Sequence, residues 1–501
     1  MCGITATFGY PIDERKIYES LNNIKHRGPD GNGTWISRDE GIMFGHQRLS
    51  INDLSQDGHQ PMIDDETGII IVCNGEIYNY PDLKKILLEK GHHFKSRSDS
   101  EVIIHAYKEW GEEAFKKFDG IFAFALWNPL KRKGFVVRDH IGVKPVYYKK
   151  NKDSLLVSSE LRGLKPFLNE IKIDQLSLGY LLSISHVPPP YSIIKDVKKL
   201  EPGSYLIINS SSAIEIKKYW DLPSNDTEES SISFEEIFEE TVKSQLLSDV
   251  PVSLFLSGGL DSSSIAFASR DSNLSHLSVD FANHPLNEID IAQGTSNILG
   301  KELIKIIHSG SSSKFKRDLI ARSIDEPILF SSLSASYLIN SLASQRNLKV
   351  IMSGVGGDEC FGGYGWHQWI PVFGFESNIF NKGFSTYRKI LRVLGKEGIY
   401  YASHKDLIKN YVLRSCTKMM PVDVSRLLGI EFNEETWLNP FIRHYENAQF
   451  SSAGKKLQKV DLYTFCSSIN LSILDQTSMH FGIEGRVPFL GKRFLEWVFK
   501  N

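Results

Sequence analysis

Apolar and polar positions follow three different rhythms along the chain. Over the first ~190 residues they come in short runs bounded by Gly, Asn or Asp. MFGHQRLSI, GIIIVC and KGFVVRD have the length and β-branched content of strands. Two stretches there keep a period of three and four instead. They predict helices over Pro81–Lys90 and Ser100–Lys117. The pattern is that of an α+β domain built on sheet. Near Val187–Leu222 prolines cluster and a last strand follows, then the polar run PSNDTEESSIS predicts a linker or surface crossing. From Ser233 a third rhythm begins. FEEIFEETVKSQLLSD reads as an amphipathic helix and VPVSLFLS as a buried strand. SSSIAFASR, LSVDFA, ASYLINSLASQ and LKVIMSG continue the alternation. Strands alternating with helices predict a parallel sheet covered on both faces. Beyond about Trp366 the remainder reads as mostly helical.

Composition narrows the picture modestly. The 501 residues are too many for one ordinary core, so two or three domains are expected. A net charge of −2 gives no general pull toward nucleic acid or an acidic membrane. No apolar run approaches the ~18 residues of a membrane span, and the N-terminus lacks the pattern of a secretory signal. Five scattered cysteines show no metal-ligand or CxxC spacing, which predicts reduced thiols and a cytoplasmic address.

Two places carry chemistry. Cys2 stands directly behind the initiator methionine. Removal of Met1 would give it a free α-amino group, a base near neutral pH beside a thiol. The bland reading is a small apolar residue opening a buried strand. The second place is LFLSGGLDSS, Leu254–Ser263, where a strand runs through glycines into a helix. Such a turn exposes backbone amides to an anion. It is not a Walker A loop, because no Gly-Lys-Ser/Thr triplet exists in the chain. Asp261 points to a metal accompanying the anion, since a bare carboxylate would repel pyrophosphate. VIMSGVGGDECFGGY, Val350–Tyr364, repeats the logic and offers Asp358 for the same ion.

With these residues in view the chain resembles the glutamine-hydrolysing asparagine synthetase family. The motifs occur in order: Met1-Cys2-Gly3-Ile4, HRGPDG (His26–Gly31), GHQRLSI (Gly45–Ile51), NGEIYN (Asn74–Asn79), SDSE (Ser98–Glu101) and RDHIGVKPVYY (Arg138–Tyr148). SGGLDSS, DEP (Asp325–Pro327), GGDECFGGY and EGRVPFL (Glu484–Leu490) follow. The resemblance implies an N-terminal Ntn-type α/β/β/α sandwich over residues 2–205, a last strand and linker over 206–232, and a PP-loop ATP-pyrophosphatase domain over 233–501. It implies Cys2 as the processed nucleophile, with Asn74 and Gly75 as the oxyanion hole. Arg48 would grip the glutamine carboxylate, Leu49 and Ile51 would line the substrate site, and Glu76 and Asp99 would accept from its ammonium and nearby backbone. From the residues alone, Asn74-Gly75 is equally a hairpin turn and Asp99 a helix cap. Leu256, Ser257, Gly258, Gly259, Asp261, Ser262, Ser353 and Gly354 would contact ATP, with Val279 beside the adenine. Asp261 and Asp358 would hold Mg²⁺. The implied reaction uses glutamine and ATP to amidate aspartate through an acyl-adenylate and channelled ammonia, and the family suggests a homodimer.

Two departures qualify that expectation. The family usually has an acidic residue where this chain has Val355. The chain also stops at Asn501, where members normally continue into a basic segment with a lysine facing the acyl-adenylate. The amphipathic WVFKN ending has the look of an interrupted helix. The alternatives are therefore an amidotransferase of the same architecture acting on another carboxylate, such as a uronic acid, and a scaffold that retains only glutaminase or nucleotide binding.

Overall fold

A computed structural model describes residues 2–151, 154–209, 214–223, 231–282, 287–307, 314–367, 404–450 and 452–500. Met1, most of the expected linker (224–230) and Asn501 lie outside the described residues.

Among its described residues the first half contains twelve strands: β1 (Cys2–Phe8), β2 (Gly31–Ser37), β3 (Ile42–Arg48), β4 (Met62–Ile63), β5 (Ile70–Ile77), β6 (Gly120–Asn128), β7 (Lys133–Arg138), β8 (Tyr147–Lys150), β9 (Leu155–Ser158), β10 (Val197–Lys199), β11 (Ser204–Asn209) and β12 (Ile214–Lys218). They form two six-stranded sheets, in the orders β10-β8-β9-β1-β3-β2 and β12-β11-β7-β6-β5-β4, and every pairing is antiparallel. Ile4, Ala6, Phe8 and Phe44 from one sheet meet Ile70, Val72, Ala123 and Ala125 from the other in a single buried cluster. The opposite faces are covered by helices. Ile17 and Leu164 pack with Met43 and Leu156 on the first sheet, and Leu83, Leu87, Val102 and Ala106 pack with Ile71 and Phe124 on the second. The layers run helix, sheet, sheet, helix. Because both sheet faces are buried, these strands read as apolar runs rather than as clean alternation.

Two sequence expectations are corrected here. Ser100–Lys117 is not one helix: an α-helix covers Glu101–Trp110, a 3₁₀ turn follows, and Ala114–Lys117 resumes. Gly111 stops the first helix at φ +61°, a left-handed conformation that favours glycine. Asn74-Gly75 is not a hairpin tip either. Both lie inside β5, opposite Ala123 and Phe122 of β6.

The second half carries a parallel sheet, β13 (Val252–Phe255), β14 (Ser275–Asp280), β15 (Leu303–Ile307), β16 (Val350–Met352) and β17 (Glu484–Arg486), in the order β15-β14-β13-β16-β17. The chain moves outward from β13 on one side and then returns to β16 on the other. The loops after β13 and β16 therefore diverge at neighbouring strand ends, where open α/β sheets bind ligands. β17 is a short strand within a remainder read as mostly helical. Three residues, EGR, are too short to show a period.

The two halves share cores. Leu49 and Ile51 of the first are buried in a cluster with Ile237, Phe238, Leu254 and Met479 of the second. Arg27, fully buried, donates two hydrogen bonds to Asp475, at 2.9 and 3.1 Å, and one to Glu160 at 2.8 Å. His140 Nε2 meets the carbonyl of Leu490 at 2.7 Å.

Candidate functional site

Cys2 opens β1 directly opposite Arg48 at the end of β3. The thiol is buried, and burial raises its pKa, against the pull of the Leu49 amide. The Cys2 backbone nitrogen donates to Asn74 Oδ1 at 2.9 Å. That bond fixes the side-chain amide of Asn74 and leaves its Nδ2 buried with no hydrogen-bond partner. A buried unpaired donor costs roughly 1–3 kcal/mol, so its retention beside a thiol marks a place where an acceptor is expected. Gly75 has φ +139°, and a Cβ there would overlap the backbone of Ile121 and Phe122. Only glycine lets the two strands approach this closely.

Arg48 is buried and its fork is already oriented. Nη1 donates to Ser55 O at 2.9 Å and sits 3.3 Å from His59 Nδ1, while Nη2 donates to Asp53 O. Gly58 is required beneath it, because a Cβ would collide with Nη2. Glu76 accepts from Asn52 Nδ2. Burial raises the Glu76 pKa well above the carboxylate range, with Asp99 and Glu484 adding to the effect. Asp99 does not cap the following helix. Its Oδ2 accepts from the Ile77 amide at 2.7 Å. Burial pushes its pKa up to about 6, against that hydrogen bond. Cys2, Arg48, Asn74, Gly75, Glu76 and Asp99 thus gather at the ends of β1, β3 and β5. Leu49 and Ile51 differ: they are buried in the second half's core.

Several residues at the seam were not found from the sequence as site residues. Arg27 Nε reaches the Cys2 carbonyl at 3.2 Å. Glu484 and Arg486 pair at 2.5 Å, and Arg486 also donates to the carbonyls of Gln245 and Leu247. Asp249 accepts from the Asp53 amide at 2.8 Å. Arg27, Glu484 and Arg486 do stand inside quoted motifs, HRGPDG and EGRVPFL. The signal was present, but nothing local says which half they serve.

At the second place, Leu256–Ser262 wraps from β13 into the helix Leu260–Ala268. The loop is held by its own hydroxyls. Ser262 Oγ accepts from the Ser257 amide at 3.1 Å, and Ser257 Oγ accepts from Gly259 N at 3.2 Å. Gly258 has φ +97°, and a Cβ would meet Glu288. The helix N-terminus faces outward, since Leu260 is 81% exposed. Gly354 packs on Asp261, with an added Cβ only 3.0 Å from the Asp261 Cβ, and a Cβ on Gly357 would run into the Asp261 carboxylate. Ser353, Gly354 and Asp358 therefore adjoin the first loop. Val279 is buried near the carboxyl end of β14. Burial and the charge of Asp358 push the Asp261 pKa up to about 6, and burial raises that of Asp358. Two half-buried carboxylates that oppose each other's ionisation suit a shared divalent cation. Among the described residues no cluster of three or more such ligands occurs. A pair fits Mg²⁺ bound with phosphates, which takes one or two carboxylates from the protein. No helix among the described residues is long and apolar enough to cross a membrane.

Comparison with known proteins accords with this two-part layout. Residues 1–220 match the family model for a glutamine amidotransferase domain, and residues 233–500 match that for asparagine synthase. Asparagine synthetase [glutamine-hydrolyzing] 1 of Bacillus subtilis is 32% identical over 521 residues, covering 98% of this chain and 80% of the relative. Asparagine synthetase [glutamine-hydrolyzing] 3 of the same organism is 28% identical, with 99% and 80% covered. The amidase chyE of Penicillium rubens is 32% identical over 73% of this chain and 59% of its own length. The chain belongs to the glutamine-hydrolysing asparagine synthetase family.

Proposed function

We propose that the chain is a glutamine-dependent, ATP-driven amidotransferase that converts a carboxylate to its amide. The observation that carries the first half-reaction is the Asn74 side chain, whose oxygen is engaged by the Cys2 nitrogen and whose Nδ2 is buried and unpaired. After loss of Met1, the α-amino group of Cys2 takes the thiol proton, and sulfur attacks the glutamine amide. Asn74 Nδ2, with the backbone at Gly75, receives the developing oxyanion. Arg48 holds the glutamine carboxylate as a guanidinium fork suits, and Glu76 and Asp99 face its ammonium. Ammonia leaves, and water hydrolyses the thioester to glutamate.

In the second half-reaction the acceptor carboxylate attacks the α-phosphorus of ATP, pyrophosphate departs, and ammonia opens the acyl-adenylate. Leu256–Ser262, Ser353 and Gly354 hold the nucleotide by backbone approach, with Val279 against the adenine. Asp261 and Asp358 would hold Mg²⁺, whose charge neutralises the phosphates when bound. At the seam a cavity of about 20 Å³, room for about one water-sized molecule, is lined by Ser159 and Glu160 from one half and Asp325, Asp475 and Gln476 from the other.

Aspartate is the acceptor in this reading, on the strength of the relatives' names. One observation favours a second reading, with another carboxylate: Val355, in place of the family's usual acid, cannot bind an ammonium. The test is pyrophosphate release from Mg·ATP and glutamine, with and without aspartate, followed by mass analysis of the product. Aspartate-dependent release with asparagine formed supports the first reading. Glutamate formation with no aspartate-dependent release sends the acceptor search elsewhere.

A further inference from the structure

Beside the Gly-rich loops lies a cavity of about 140 Å³. Its walls come from β13 (Phe255), β16 (Ile351) and the loop after it, and two helices, with Asn470 just ahead of the second. Val355 and Ser353 belong to the loop after β16, Ala335 and Ile339 to the helix Ser332–Gln345, and Ile473 and Leu474 to the helix Leu471–His480. The polar groups on the wall are hydroxyls and amides. Among the described residues no Asp, Glu, Lys, Arg or His lines it. Asp358, Glu359 and Asp475 are close in sequence to wall residues but are not part of the wall, and Glu359 is held by Tyr364 OH and Asn470 Nδ2, both at 2.9 Å. The cavity abuts the reactive end of the sheet, because Ser353 and Val355 flank Gly354, which packs on Asp261.

Free aspartate brings an ammonium and a second carboxylate. Placing both in a wall of neutral groups strips their water without a countercharge, which is strongly unfavourable. An uncharged body loses nothing there. The volume is also informative, since an apolar cavity of about 150 Å³ accepts benzene. One wall atom asks for a ligand donor. Asn340 Nδ2 is spent on Ser336 O at 2.8 Å and Thr477 Oγ1 at 3.2 Å, while its Oδ1 is buried without a partner.

We propose that this cavity seats the body of the acceptor, and that the acceptor is a carboxylic acid with an uncharged, largely apolar body of about ring size bearing at most one neutral hydrogen-bond donor. The carboxyl group projects past Val355 to the loop that carries Gly354, and Val355 sets the preference. The proposal rests on the second reading above, in which a carboxylate other than aspartate is adenylated.

The experiment measures binding of phenylacetate, 4-hydroxyphenylacetate and L-aspartate to the full chain by ligand-observed NMR. Mg²⁺ and an ATP analogue uncleavable between the α- and β-phosphates are present. Phenylacetate should bind roughly tenfold or more tightly than aspartate, with the 4-hydroxy acid tighter again. Two variants keep the test independent of any one fold defect. Ala335→Leu fills the cavity and Val355→Glu charges its wall; each should weaken phenylacetate by about tenfold and leave analogue affinity unchanged. Tighter binding of aspartate, or binding of none of the three acids, overturns the proposal. Loss of the nucleotide rather than the acid in Ala335→Leu also overturns it, and makes the cavity the seat of the base. Acid-dependent exchange of pyrophosphate into ATP is read alongside. Binding without exchange for any acid defeats the adenylation reading and leaves the cavity's assignment standing.

Discussion

Cys2, Arg48, Asn74 and Glu76 stand within paired strands, whereas Ser257 and Gly354 lie on loops beyond strand ends and Asp261 and Asp358 in the first turns of the helices that follow. The first group is locked before any substrate arrives: the Asn74 amide is pinned by the Cys2 nitrogen and the Arg48 fork by two loop carbonyls. The second is half-exposed and holds two carboxylates that resist joint ionisation. The difference follows from the chemistry. Covalent attack needs its atoms placed to a fraction of an ångström in advance. A nucleotide site can use a divalent cation and phosphates to complete its own charge balance.

That contrast can be broken in order of expected effect. Cys2→Ala should lower glutamine-dependent product formation by roughly 10⁴-fold or more, with ammonia-dependent formation spared. Equal loss of both would mean the two places are not separate sites. Asp358→Asn should do the converse, cutting pyrophosphate release by about a hundredfold while glutaminase turnover persists. A matching fall in glutaminase turnover would erase the distinction.

Arg27→Met tests the rigid frame itself. Asp475 would be left buried without its cation, which costs roughly 3–5 kcal/mol, while Glu160 would keep Arg162 and His26. Denaturant unfolding reads this, and the double variant with Asp475→Leu should recover part of the loss. An unchanged midpoint in the single variant would show that the pair is not part of the frame.

The smallest effect concerns Asp99. Its folded pKa of about 6 lies above the ordinary aspartate value of 3.8. The folded state therefore keeps a proton that the unfolded chain releases between those values, and this contribution to stability is lost as pH rises through 6. Asp99→Asn, which can still accept from Ile77, should raise the melting temperature by a few degrees above pH 6 and leave it unchanged near pH 4. In the unaltered protein the KM for glutamine should rise as pH falls below about 6, because a protonated Asp99 no longer attracts an ammonium. A flat KM profile would remove Asp99 from the substrate site.

Much of this frame was readable in advance. β5 and β7 follow GIIIVC and KGFVVRD, and the strand VPVSLFLS and its Gly-rich loop fall as the alternation predicts. These signals are local. What escaped was set by partners far along the chain. Asn74-Gly75 has the residues of a tight turn, yet pairing with Ala123 and Phe122 draws it into a strand. Asp99 has the position of a cap, yet the Ile77 amide claims its carboxylate. β17 exists only because Val350–Met352 offers it an edge. Arg27 finds Asp475 across 448 positions, a distance over which no motif speaks.

The burial of Leu49 and Ile51 among Ile237, Phe238 and Leu254 has a consequence for how such a protein can be taken apart. A cut between the halves would strip an oily patch bare on each fragment, and the loop beside Arg48 would lose the floor it stands on. The two activities are thus not interchangeable cartridges. A graft of either half onto a foreign partner would have to carry the matching half of that shared interior with it.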